Sequence, residues 1–358
     1  MAQISEMQHA AAQFGVTNRV IADDMGYGSY YVAIPKMTNA QLLAGGDANV
    51  HPAFIVNGVT KEEILIGKYH AFVKNDRAYS LPNVTPGTHM NFDQSVAYCK
   101  NKGNGHHLIT CAEYAMLALW AKLKGTLPRG NTDWGASSEM PSEIGISATK
   151  ETDGEFKTMS TKTCASFPSW YHNGDLNGID GLCGNLWHWC GGLRLHSGEI
   201  NIFANNDAAM LNIDMSAAGE AWKAIMPNGS LVAPGTEGTL KWDYAALPID
   251  AMENIKLGTI LNFQQQDVNA YGDTTFSRLT AKTGVTVPAV LKSLALFPND
   301  ADGYKDDMFW MRNNGERLPL RGGSFHNGAS AGVFALNVRV DRSLSNHTVG
   351  FRVAYCDM

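Results

Sequence analysis

The side chains best suited to metal or redox chemistry in this 358-residue chain are six cysteines and the adjacent pair His106-His107. The cysteines are Cys99, Cys111, Cys164, Cys183, Cys190 and Cys356. Their spacing supports little of that chemistry. His106, His107 and Cys111 match no established zinc-ligand spacing, and a role at the start of a helix suits them better. Cys183 and Cys190 bracket "GNLWHW" and read as buried thiols, because cysteines scattered through a long chain do not make a disulfide scaffold. Two acidic stretches, "NGDLNGIDG" (173–181) and "NDADGYKDD" (299–307), offer oxygen ligands, which keeps calcium open as a ligand. Neither carries the full calcium-loop pattern ending in a Glu. No other cofactor is expected. The chain has no P-loop, nucleophile elbow or dinucleotide fingerprint.

The last segment, "LRGGSFHNGASAGVFALNVRVDRSLSNHTVGFRVA" (320–354), poses a different problem. Framework words, Arg321-Gly322-Gly323, Gly332-Val333-Phe334 and Gly350-Phe351-Arg352, alternate with side chains that share no chemistry. The glycines suit turns closed to a residue with a Cβ. Val333, Phe334, Leu336, Phe351 and Val353 offer apolar contacts. Arg321 and Arg352, set among glycines and apolar residues, read as buried cations in need of partners.

The elements that must position these residues form an α+β pattern. "NFDQSVAYCKNKG" spaces Phe92, Val96 and Cys99 for a helix that stops at Gly103. "TCAEYAMLALWAKLKG" starts with a Thr110/Glu113 capping box and ends in Lys122, Lys124 and Gly125. Almost no helix is expected over the following 150 or so residues, which excludes an alternating βαβ fold. Residues 62–73 read as one strand, 126–180 as long ordered loops, and His196-Ser197-Gly198 as a hairpin turn. Trp187 and Trp189 read as core residues. A short helix lies between Pro288 and Pro298, and 308–356 holds two or three strands. The first 50 residues form a helical stretch, a strand at "SYYVAIPKM" and a linker.

Composition bounds the function. A hydrophobic content of 44% with 17% charged residues is that of a globular protein. A net charge of −6 argues against a general nucleic-acid surface. No apolar run is long enough for a membrane helix, so membrane insertion is not expected. No secretory signal is seen at the N-terminus.

Three stretches in order carry a resemblance: "FDQSVAYCKNKG…HHLITCAEYAMLALW", "NGIDGLCGNLWHW" and "RLPLRGGSF…GFRVA". Together they resemble the sulfatase-modifying-factor branch of the C-type lectin fold, over roughly residues 50–356. Gly184-Asn185-Leu186-Trp187-His188-Trp189 is similar to that family's Gly-Asn-x-Trp-x-Trp block. The branch holds the formylglycine-generating enzymes and the variable proteins of diversity-generating retroelements. The resemblance implies an α+β C-type lectin fold of the formylglycine-generating-enzyme-like type, with two helices packed on short mixed and antiparallel sheets and much irregular loop. It divides the chain into an N-terminal extension, 1–50, for attachment or oligomerisation, and a ligand-binding domain, 51–358. The variable segment covers about 310–350.

The chain's ending selects between the two groups. The enzymes carry two cysteines in the last segment, which bind copper and perform the oxidation. Gly322 to Arg352 contains no cysteine; Asn327 and Arg339 stand near the expected positions, and Cys356 lies beyond Gly350-Phe351-Arg352. Without the thiolate, which is both ligand and redox centre, that mechanism is lost. In the variable proteins the last segment is diversified by mutagenic reverse transcription at template adenines, Asn codons being usual targets. The resemblance thus assigns target display to Phe325, His326, Asn327, Ser330, Asn337, Arg339, Val340, Leu344, Asn346, His347 and Thr348, with Trp310, Arg312 and Asn313 upstream. The competing reading takes them as ordinary exposed loop residues. What the resemblance implies is a noncatalytic receptor-binding protein of a phage or prophage virion, cytoplasmic before assembly. Its partner would be a macromolecule, a protein or cell-surface receptor, and a homo-oligomer would strengthen weak contacts. A copper-dependent oxidase and an invariant structural virion protein are the alternatives.

Overall fold

The structure is a computed structural model and describes residues 2–103, 105–151, 156–245, 255–264 and 271–357. Helix α1 spans Ala2–Ala12, α2 spans Phe92–Lys100, α3 spans Cys111–Lys124 and the short α4 spans Ala289–Ser293. Both central helices start as the sequence requires. Asn91 and Gln94 close a capping box on α2, and Thr110 and Glu113 close one on α3. Gly125 ends α3 in the left-handed conformation at φ 68°. One face of α2 buries Phe92 and Cys99, with the Phe92 ring edge-on to Trp189. Nearly all of α3 is interior, which fits its run of apolar side chains.

Among the described residues the strands form two main sheets and two separate two-stranded hairpins. Among the described residues the smaller has five antiparallel strands in the order Asn18–Ala22, Gly28–Pro35, Glu63–Gly67, Val353–Tyr355, His106–Leu108. The N-terminal and C-terminal parts of the chain meet here: Tyr31 faces Gly67, and Ala354 faces Ile66. Residues on both sides of position 50 therefore share one hydrogen-bonded sheet. The larger sheet is mixed. Its centre is Glu316–Arg321, which pairs with Leu336–Val340, Leu193–His196 and Trp187–Trp189. Met308–Met311 runs parallel to Leu336–Val340, and Val349–Phe351 parallel to Trp187–Trp189. Few helices with two irregularly connected main sheets place the described residues in the expected α+β class.

Two expectations are corrected. The strand foreseen over 62–73 breaks into Glu63–Gly67 and Ala71–Lys74, the second forming a separate hairpin with Arg77–Ser80. The chain turns between them because Lys68 and His70 are drawn inside. The Lys68 ammonium donates to the Asn18 Oδ1 at 2.8 Å and the Leu176 carbonyl at 2.7 Å. The hairpin closes through Asn75 and Asp76, both at positive φ, as its twist demands. The segment 308–356 holds five strands, where two or three were expected. The additional strands are three-residue pieces at the end of the chain, too short to show period-2 alternation. The hairpin at Ser197-Gly198 forms as expected.

Candidate functional site

The framework of the last segment is interior. Arg321 and Arg352 are both fully buried, and each is held by carbonyls. Arg321 donates to Leu294 at 3.0 Å and Ala295 at 3.1 Å. Arg352 donates to Gly67 at 2.7 Å and Asp180 at 2.6 Å. Burial lowers the Arg352 guanidinium to about 10, against the pull of Asp180. Val333, Phe334, Leu336, Phe351 and Val353 are all buried, as are Trp187 and Trp189. The framework glycines act in two ways. Gly323 takes φ 84°, a turn other residues resist. Gly332 sits at an ordinary φ; there a Cβ would strike the Asp307 carboxylate, so the requirement is close approach, not turning.

The proposed display residues divide into three groups. His326 and His347 are exposed; Arg312, Asn327, Ser330, Arg339, Val340, Leu344, Asn346 and Thr348 are half-buried. Phe325, Asn337, Trp310 and Asn313 are buried, which corrects their assignment to an exposed face. Each buried residue has structural work. The Trp310 ring meets Trp187 edge-on at 5.4 Å. Phe325 packs against Trp134 at 5.1 Å. Asn337 sits in a strand and its Oδ1 accepts the Arg339 N–H at 3.1 Å. Asn313 donates to the Phe263 carbonyl at 2.9 Å. Asn327 and Asn346 reach solvent yet also fasten their loops. Asn327 accepts from the Ser324 N–H and hydroxyl, both at 2.8 Å, and Asn346 accepts from the N–H and hydroxyl of Thr348.

The remaining side chains gather into two patches. In the first, Phe325 floors a ring cluster: His326 at 5.0 Å, Trp134 at 5.1 Å and His347 at 6.1 Å, with exposed His89 a further 6.3 Å from His347. Burial, and then the neighbouring His347, lower the His326 imidazole, which favours its neutral form within an aromatic patch. In the second, Arg312, Arg339, Val340 and Leu344 line a hollow of about 420 Å³ together with Tyr271 and Arg317. The loop carrying Asp341 to Thr348 joins the two. Arg342 anchors that loop through Asp93 at 2.6 Å, Glu316 at 3.0 Å and the Met215 carbonyl at 3.0 Å. Trp134, His89, Tyr271 and Arg317 were missed from sequence. Trp134 reaches the patch at φ 47°, and Tyr271 stands just before the Gly272–Thr275 strand, about forty positions before the Arg312 it meets, so spacing held no signal for either.

The other chemistry-bearing residues are occupied structurally. His107 and Glu113 meet at 2.8 Å at the start of α3, and His106 contacts the Tyr31 hydroxyl at 2.9 Å. All six cysteines are free, five of them buried; Cys164 is half-buried. Burial opposes ionisation of Cys111, but Cys190 and the Arg321 guanidinium outweigh it and lower the thiol. In the acidic stretches, Asp180 accepts the Cys164 N–H at 2.8 Å, Asp307 accepts the Phe334 N–H at 2.7 Å, and Asp300 pairs with Lys122 at 2.8 Å. Among the described residues no group of three or more His, Cys, Asp or Glu is arranged to hold a metal ion. The donor set for copper does not fit either. Cys356 packs with Val56 and Ala209, and the Gly322 to Arg352 stretch supplies no thiol. No helix among the described residues is long and apolar enough to cross a membrane.

No family model and no curated protein matches the chain. The solved structures to which it is similar include Treponema denticola variable protein 1, at TM-score 0.34 and 13% identity, covering 94% of this chain and 98% of that one. They also include the Major Tropism Determinant P3c variant, at TM-score 0.33 and 11% identity, covering 94% and 71%. PvdO from Pseudomonas aeruginosa is a third, at TM-score 0.33 and 11% identity, covering 94% and 97%. Likenesses at these TM-scores assign neither a subtype of fold nor a function.

Proposed function

We propose that the chain is a noncatalytic, C-type-lectin-like binding protein that presents its C-terminal segment to a macromolecular target at the tip of a phage virion. One observation carries this reading. Within 320–354 the framework words are buried, while most of the miscellaneous residues between them reach solvent on two neighbouring patches. A surface that must tolerate many sequences cannot contribute to the core, where a single volume change costs several kcal/mol. Aromatic, His and Arg side chains on a rigid support are an effective contact set. The display set is His326, Asn327, Ser330, Arg339, Val340, Leu344, Asn346, His347, Thr348 and Arg312. Diversification by a retroelement, and an N-terminal part that serves attachment or oligomerisation, belong to the same proposal and rest on the sequence resemblance.

The locus tests it directly. An adjacent reverse transcriptase gene and a near-copy of the segment differing at adenines, within the codons of the display set, are the expected finding. An invariant locus would sink diversification and leave a fixed structural tip. A copper titration with a thiol-oxidation assay addresses catalysis; stoichiometric binding with turnover would overturn the noncatalytic reading.

A further inference from the structure

Two thiols and a guanidinium from distant parts of the chain meet at the start of α3. Cys111 is the first residue of α3, and Cys190 follows the Trp187–Trp189 strand. Backbone hydrogen bonds hold the two segments together. The Cys111 N–H donates to the Gly191 carbonyl at 2.8 Å, and the Gly191 N–H donates to the Ile109 carbonyl at 2.9 Å. Both thiols are buried and free. Arg321 is the third member. Its Nη2 holds the Leu294 and Ala295 carbonyls, while the buried Nε and Nη1 have no hydrogen-bond partner among the described residues. A buried cationic donor without an acceptor is costly, and a thiolate is the acceptor this setting offers. Burial opposes ionisation of Cys111, but Cys190 and then Arg321 lower its thiol; burial, and then Cys111, raise Cys190. Glu113 adds to that rise, and Tyr114 and Arg352 also face Cys190. The pair is therefore asymmetric. One sulfur is disposed to be the thiolate, helped by its place at a helix N-terminus, and the other is kept as the thiol. Cys111 also lines a hollow of about 10 Å³ with Thr110, Asn206 and Leu294, room for a molecule no larger than water or peroxide.

We propose that Cys111 and Cys190 form an oxidation site for hydrogen peroxide, which closes them into a disulfide. The Cys111 thiolate attacks one peroxide oxygen, the O–O bond breaks, and the departing hydroxide takes up a proton to become water. Cys111 then carries a sulfenic acid. The Cys190 sulfur attacks that sulfur, the S–S bond forms, and the hydroxyl leaves as water with the Cys190 proton. The two thiols lose two electrons and the peroxide gains them, so the step needs no metal and no further oxidant. Arg321 supplies donors beside the thiolate. The reaction is stoichiometric and independent of what the C-terminal face binds.

The test treats the reduced full chain, in EDTA, with a few equivalents of hydrogen peroxide. Alkylation after denaturation counts the surviving thiols, and peptide mapping locates the lost ones. Two of the six are expected to be lost, in a linked Cys111–Cys190 peptide that dithiothreitol separates. Cys190→Ala is expected to stop at a sulfenic acid on Cys111 that dimedone traps, and Cys111→Ala to leave Cys190 reduced. Cys164→Ala removes the one half-buried thiol and leaves the reaction unchanged. In the native chain the rate is expected to reach half its limit below the ordinary thiol value of about 8.5, and Arg321→Lys to slow it about tenfold at neutral pH. Six surviving thiols, loss at Cys164 first, or a half-point at or above that ordinary value each overturn the inference, as does a folded Arg321→Lys that reacts at the native rate. The first three are read on the native chain, so a variant that fails to fold does not shield the proposal.

Discussion

Asp307 shows how a framework position acquires its own pH dependence. Its carboxyl is buried beside Gly332, and burial raises it to about 7, against the hydrogen bond from the Phe334 N–H. In the folded state the group therefore holds a proton that the unfolded chain releases near the ordinary carboxylate value. Its contribution to stability is complete below that value and is lost as pH rises toward about 7. Asp307→Asn keeps the acceptor for Phe334 and abolishes the titration. The difference in unfolding free energy between variant and wild type is expected to grow with pH across that window, by at most about 1.4 kcal/mol per unit, and to level off above it. Denaturant melts at several pH values measure this, and a pH-independent difference would contradict it. Arg352 makes a second residue-scale case. With carbonyls of Gly67 and Asp180 left unpaired, Arg352→Ala is expected to cost about 1–3 kcal/mol for each in a denaturant melt. Both arginines could be read from sequence as buried cations. That they would meet carbonyls and not carboxylates could not.

At the scale of elements, the capping signals were local and so were legible. Thr110, Glu113 and Gly125 stand within one short stretch, and each does in the structure what its spacing requires. Thr110→Ala is expected to destabilise the protein by about 1–2 kcal/mol, the upper part reflecting the bond its hydroxyl also gives Asn206 at 2.6 Å. The loop from Asp341 to Thr348 shows the opposite case. Nothing in "DRSLSNHT" distinguishes Arg342 from its neighbours. Yet Arg342 ties that loop to α2 through Asp93, to the central strand through Glu316 and to the Met215 carbonyl. Arg342→Ala is expected to raise amide exchange across 341–348 while leaving α3 protected. Unchanged exchange in the loop would remove Arg342 as its anchor.

For the whole molecule, the claim is that folding and display are separable. Replacing His326, Ser330, Leu344, His347 and Thr348 together by Ser or Ala is expected to leave the melting temperature within about 2–4 °C of the parent. Phe325→Ala and Trp310→Ala, at buried positions facing Trp134 and Trp187, are each expected to cost about 3–5 kcal/mol. Cooperative loss of structure in the combined variant would show that the exposed set belongs to the core. The five-stranded sheet adds a second whole-molecule feature. It joins residues 18–35 to the C-terminal strand, so truncating the first 35 residues leaves Glu63–Gly67 with an open edge.

The sequence by itself determined the fold class, both central helices with the caps of the second, the buried tryptophans and arginines, and the absence of a thiol pair in the last segment. These follow from local spacing or composition, which the chain carries at each position. Only the tertiary structure decided which miscellaneous residues reach solvent. Phe325 and His326 are neighbours of similar promise in sequence, and one is interior while the other is exposed because Trp134, from a loop nearly two hundred residues earlier, covers the first. The arginine hollow likewise arises from the order of three strands in a sheet. Strand order is set by long-range pairing, which no local pattern records.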